Sequence, residues 1–172
     1  MPDQRELAMQ LMEKKKFSEA IPLFLELIES KSDDKGLYYM LGQCYRFTNQ
    51  IKLATENLSK AVSLQHLDSN EVPINRVLDQ DIWFAYGIAL QLEGNLHDSE
   101  KALLHTLDLI LEDEEILAPG SSFNDLQAST LNSLGVTYRK MRNYKKALEY
   151  YDMAYSFLMD KAIEKITEEG KF

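Results

Sequence analysis

Tyr38-Tyr39-Met40-Leu41-Gly42-Gln43-Cys44-Tyr45 decides how the rest of this 172-residue chain is read, because it returns twice in altered form. The copies are Trp83-Phe84-Ala85-Tyr86-Gly87-Ile88-Ala89-Leu90 and Leu131-Asn132-Ser133-Leu134-Gly135-Val136-Thr137-Tyr138. Each holds an aromatic residue or Leu, two spacers, a large residue, a Gly, two spacers and a large residue. Twelve residues past each Gly stands a small side chain, and two more marked positions follow four and seven residues later. These sets are Ala54, Leu58, Ala61; Ser99, Leu103, Thr106; and Ala147, Tyr151, Ala154. Leu7, Ala8, Leu11, Ala20, Phe24 and Leu27 fall in the same frame and give a fourth, more degenerate copy.

Marked positions three, four and seven apart share one face of an α-helix. No run alternates with a period of two for long enough to argue a strand, so the chain reads as all-α. Small residues on one helix opposite small residues on the next allow close approach, while the large residues fill the flanks. Asn49, Gly94-Asn95 and Asn143 fall where the helix pairs must turn, and such residues tolerate left-handed backbone and cap helix ends. A single pair leaves apolar surface uncovered, so neighbouring pairs must stack.

The pattern resembles the tetratricopeptide repeat (TPR), W-x2-L-G-x2-Y followed by A-x3-F and A, whose period of about 34 residues encodes one helical hairpin. The resemblance implies a right-handed superhelical stack of helical hairpins. Repeats are expected at about 1–34, 35–66, 80–113 and 128–160, in one domain spanning 1–172. The intervals of 45 (35 to 80) and 48 (80 to 128) leave insertions at about 67–79 and 114–127. Asp68-Ser69-Asn70-Glu71-Val72-Pro73 and Ala118-Pro119-Gly120-Ser121-Ser122 in them are loop chemistry, while Val77-Leu78 and Phe123-Leu126 resume the apolar pattern and lengthen the following helices. The Pro that usually closes a repeat is replaced by Ser32, His66, Leu111 and Met159. Ala147, Tyr151, Ala154, Leu158, Ala162 and Ile166 carry the last helix to about residue 168, where it is expected to cap the stack with a polar side in water.

Composition narrows the function. Hydrophobic residues are 45% and charged residues 27%, with 7 Gly and 4 Pro, which is a globular make-up. A formal net charge of −9 opposes general nucleic-acid binding, which draws on Lys and Arg displacing counterions. The single cysteine, Cys44, has no internal partner and suits a reducing compartment. The charged opening stretch lacks the apolar core of a secretory signal, and no stretch reaches the ~18 apolar residues of a membrane span, so a cytoplasmic location is expected.

In TPR proteins the first helices of the hairpins line a concave groove. Carried over, that implies a partner-binding groove of Arg5, Met9 and Met12; Tyr39, Met40, Gln43, Arg46 and Phe47; Phe84, Ile88, Gln91 and Leu92; and Asn132, Ser133, Val136, Arg139 and Lys140. Its apolar, aromatic middle suits a peptide or amphipathic helix with Leu, Phe or Met anchors. The competing reading is that the C-terminal helix or an insertion covers these residues. The carboxylate clamp of the co-chaperone subset is missing: Arg5 is one acceptable member, but Met9, Met40, Asp81 and Ala85 hold the other places. In a frame shifted by one repeat the places fall to Tyr39, Gln43, Ala85, Ser129 and Ser133. Five cations in Arg139-Lys140-Met141-Arg142-Asn143-Tyr144-Lys145-Lys146 read first as a solvated turn at a helix C-terminus, and second as a handle for an acidic ligand.

No catalytic set, nucleotide fingerprint or metal-ligand spacing emerges. His66, His97 and His105 are not arranged as ligands, and Glu112-Asp113-Glu114-Glu115 lacks the Gly and alternating oxygens of a calcium loop. Cys44 reads as a packing thiol. The expected function is a protein-protein interaction scaffold or chaperone-like adaptor, with no cofactor and no enzymatic activity. The alternative is the peptide-sensing domain of a bacterial regulator. Self-association through exposed helical faces is also open.

Overall fold

The computed structural model describes residues 3–65, 76–116 and 124–169. Among them are eight α-helices and no strand: α1 (Gln4–Glu13), α2 (Phe17–Ser30), α3 (Lys35–Phe47), α4 (Ile51–Gln65), α5 (Arg76–Glu93), α6 (Leu96–Ile116), α7 (Asn124–Lys140) and α8 (Tyr144–Glu169). Val77 and Leu78 belong to α5, and Leu126 to α7. The loop segments read at 68–73 and 118–122 lie outside the described residues. The chain forms two compact units, Met1–Asn95 and Leu96–Phe172.

In the first unit α1 packs on α2, α2 on α3, α3 on α4, and α4 on α5, while α3 also touches α5 directly. Its core is Ala8, Ala20, Phe24, Leu37, Leu41, Cys44, Tyr45, Ala54, Leu58, Ala85 and Ala89. In the second unit α7 packs on both α6 and α8. There Leu103, Thr106, Ile110, Thr130, Leu134, Thr137, Tyr138, Ala147 and Ala154 are buried. The repeated small positions are where helices touch. A Cβ built on Gly42 would stand 2.7 Å from Leu58 Cγ, and one on Gly135 would stand 2.5 Å from the Tyr151 ring.

Four turns share one hydrogen-bond signature. The amides of Lys16, Gln50, Asn95 and Asn143 donate to the carbonyls of Leu11, Tyr45, Leu90 and Tyr138 at 2.8–2.9 Å, each reaching back five residues. The residue before each donor is left-handed: Lys15 (φ 58°), Asn49 (φ 61°), Gly94 (φ 95°) and Arg142 (φ 62°). This is the Schellman closure, which satisfies carbonyls left over at a helix end. In the last turn Arg142 takes the strained place. Asn143 instead caps α8, its Oδ1 accepting from the Lys146 amide at 3.2 Å.

The final helix departs from the expected polar cap. Tyr144, Leu148, Tyr155 and Ile163 are 56–66% exposed and stand four, seven and eight residues apart in turn, so they form one apolar stripe along α8. Ala147 and Ala154 face the interior from an adjoining sector. The apolar arc of α8 is simply wider than α7 covers.

Gly42→Ala and Gly135→Ala should each destabilise by about 1–3 kcal/mol in chemical denaturation, because the buried Leu58 or the Tyr151 ring must move. Arg142→Gly should stabilise by up to about 1 kcal/mol, because it relieves a left-handed backbone that a Cβ disfavours.

Candidate functional site

The first helices of the first unit are tied together at their N-termini. Arg5 Nη1 of α1 pairs with Asp34 Oδ2 at 3.0 Å. Asp34 Oδ1 in turn accepts from the Leu37 amide at 3.2 Å, capping α3. The next residue, Lys35, is buried, and its Nζ lies 3.2 Å from Asp79 Oδ1 of α5. Arg5, expected on the groove, is thus committed to a helix cap.

A continuous set of side chains runs along α3. Arg46 Nε donates to Gln43 Oε1 at 2.9 Å, and Gln43 Nε2 donates to the Tyr39 hydroxyl at 3.1 Å. The Arg46 guanidinium sits over the Phe47 ring, 4.2 Å from its centroid. Phe47 in turn stacks on Phe17 of α2 with centroids 4.5 Å apart. Burial pushes the Tyr39 hydroxyl above its ordinary pKa, and the Asp81 carboxylate adds to that rise. Burial also raises Asp81 and lowers Arg46.

Around this line Met12, Met40, Phe84 and Ile88 are half-buried, while Met9, Phe47 and Leu92 are exposed. Gln91 departs from the expected groove: it is 7% exposed and already engaged, so it belongs to the interior. Phe17 went unread in the sequence because it opens a second helix, outside the groove pattern. The available signal was an aromatic directly after the Lys14-Lys15-Lys16 turn.

In the second unit Asn132, Arg139 and Lys140 are exposed on α7, Val136 is half-buried, and Ser133 is buried with its Oγ donating to the Ser129 carbonyl at 2.7 Å. The cationic run is divided. Lys146 folds over the Tyr138 ring, 4.7 Å from its centroid, and its Nζ donates to the Tyr138 hydroxyl at 3.3 Å. That hydroxyl donates to Glu100, and the ring stacks on Tyr150 at 5.3 Å. Burial and the Glu100 carboxylate both push Tyr138 far above a normal tyrosine. This cluster joins α6, α7 and α8.

Residues 36–65 and 128–156 each match a family model described as tetratricopeptide repeat. The chain carries tetratricopeptide repeats. Among solved structures with this fold is the TPR protein MamA 41-end from Desulfovibrio magneticus RS-1, 16% identical, with a TM-score of 0.70, covering 92% of this chain and 77% of that one. Another is a Podosopora anserina putative kinesin light chain with nearly identical TPR-like repeats, 15% identical, TM-score 0.68, covering 92% and 74%. At such identities the likeness is one of fold. No curated protein sequence matches. A TPR fold is typically a non-catalytic protein-interaction scaffold, and among the described residues no helix is long and apolar enough to cross a membrane.

Cys44 is buried in α3, and burial pushes its thiol up to about 11. At pH 8 only about one thiol in a thousand is ionised, so Ellman's reagent should react with it only on unfolding. An unfolded chain releases this proton near pH 9 and the folded one near 11. Stability should therefore be flat with respect to this group below pH 9 and fall as pH rises from about 9 to 11; a Cys44→Ala variant should lack that component.

Proposed function

We propose that the chain is a cytoplasmic adaptor that holds an extended or helical segment of a partner protein on the α1–α3–α5 face of its first unit. The observation that carries this reading is the α3 line itself. Aromatic and apolar groups at Tyr39, Met40 and Phe47 are held in fixed positions, by hydrogen bonds, by stacking on Phe17 and by packing on the core, yet keep accessible surface. Rigid, partly exposed aromatic and Met surface suits apolar anchors on a partner, because little conformational freedom is lost on contact. Phe84 and Ile88 extend the same chemistry onto α5. Arg139 and Lys140 at the end of α7 offer a polar contact of their own.

Selection of a random-peptide display library against the full chain tests this directly. Binders rich in Leu, Phe or Met are expected, with affinity falling about tenfold or more for Tyr39→Ala combined with Phe84→Ala. Binders indifferent to that double change would move the site elsewhere on the protein.

The α8 stripe favours a second reading, self-association, since two copies placed stripe to stripe bury it on both. Light scattering should then show mass rising with concentration, and Leu148→Glu with Tyr155→Glu should abolish the rise. A constant monomer mass for the unaltered chain would end this reading.

A further inference from the structure

The α3 line contains a charged group whose hydrogen-bonding capacity is mostly unspent. A guanidinium has five N–H donors in a planar fork. In Arg46 one of them, on Nε, donates to Gln43 Oε1, and one face of the plane lies on Phe47. Among the described residues no carboxylate pairs with Arg46, and its Nη groups make no hydrogen bond, in a chain carrying 28 acidic residues against 19 basic ones. The group is nonetheless half-buried, and burial lowers its pKa, so its charge is partly desolvated without an anion to compensate.

The neighbours of Arg46 immobilise it rather than neutralise it. Gln43 holds the Nε edge and is itself held by Tyr39, while Phe47, backed by Phe17, holds the face. The edge left over is the one that accepts a carboxylate with two parallel hydrogen bonds, and a guanidinium already fixed in place loses little freedom in making them.

Resting on the peptide-binding reading above, we propose that the Nη edge of Arg46 is a carboxylate receptor, selecting partner segments that carry an acidic group beside an apolar or aromatic anchor. Asp81 gives the face its polarity. It is half-buried with no hydrogen bond or ion pair among the described residues, and it acts electrostatically on Tyr39, at the far end of the line from Arg46. A bound segment is therefore oriented with its carboxylate on Arg46 and away from Asp81.

Peptides taken from the display selection should carry Asp or Glu, or a terminal carboxylate, at a fixed distance from the apolar anchor. Affinity should fall about 10–100-fold for Arg46→Met, which keeps the apolar stem, with only partial recovery in Arg46→Lys. Replacing the peptide's Glu by Gln, and separately amidating its C-terminus, tells which carboxylate is used. Adding the Arg46→Met change to the Gln peptide should cost nothing further. Circular dichroism confirms that the variants fold.

If peptides bind the face defined by Tyr39 and Phe84 but show no acidic preference and no loss with Arg46→Met, the receptor is overturned while the groove stands. If selection yields no binder at that face, the groove reading fails, and titration with N-acetylphenylalanine still decides Arg46. Its arginine side-chain NMR signals should move with the free carboxylate and not with the amide, and identical behaviour with both would overturn the proposal.

Discussion

Helices in this protein approach one another so closely that a hydrogen must stand where most residues carry a methyl group. Gly42 faces Leu58, and Gly135 faces the Tyr151 ring, each at a distance that a Cβ would violate. That approach places a first helix against its second helix with the remaining large residues on either side. Leu41 and Tyr45 lie beside Gly42, and Leu134 and Tyr138 beside Gly135, all buried. The turns obey the same economy: a left-handed residue and one long-reach hydrogen bond reverse the chain in the fewest residues that close a helix end. Close pairs and tight turns leave each hairpin apolar on its outer sides, and packing of α2 on α3 and of α4 on α5 covers that surface in the first unit.

Function follows from what this packing does not cover. Besides the apolar core they share, the first helices are joined by ion pairs at their N-termini, Arg5 to Asp34 and Lys35 to Asp79. Their remaining face is left for other contacts, and on α3 it is stiffened by the hydrogen bonds of Tyr39, Gln43 and Arg46. In the proposed function this face of fixed aromatic and cationic groups is the recognition surface, whereas Cys44, on the same helix but turned inward, is kept protonated by burial.

The all-helical fold and the family were legible from the sequence because both rest on local spacing. Gly42 and Ala54, or Gly135 and Ala147, announce a close helix contact before any coordinates exist. What escaped was long-range pairing. The commitment of Arg5 to Asp34 spans 29 residues, the Phe17–Phe47 stack joins two hairpins, and the Glu100–Tyr138–Lys146 cluster joins three helices. No repeat pattern specifies such contacts, because they use positions at which the repeats differ. The exposed stripe of α8 was misjudged for a related reason. Periodicity shows that one side of a helix is apolar, but the width of that side and the extent of its cover depend on the neighbour.

The central claim is that each helix is stabilised by the neighbours that cover it. Hydrogen exchange of backbone amides, followed by mass spectrometry on the intact chain, measures this helix by helix. Protection should be greatest in α3 and α4, which are packed between neighbours, and least in the C-terminal half of α8, where Leu158, Met159 and Ile163 are exposed. Equal protection throughout, or slower exchange at the end of α8 than in α3, would contradict the account.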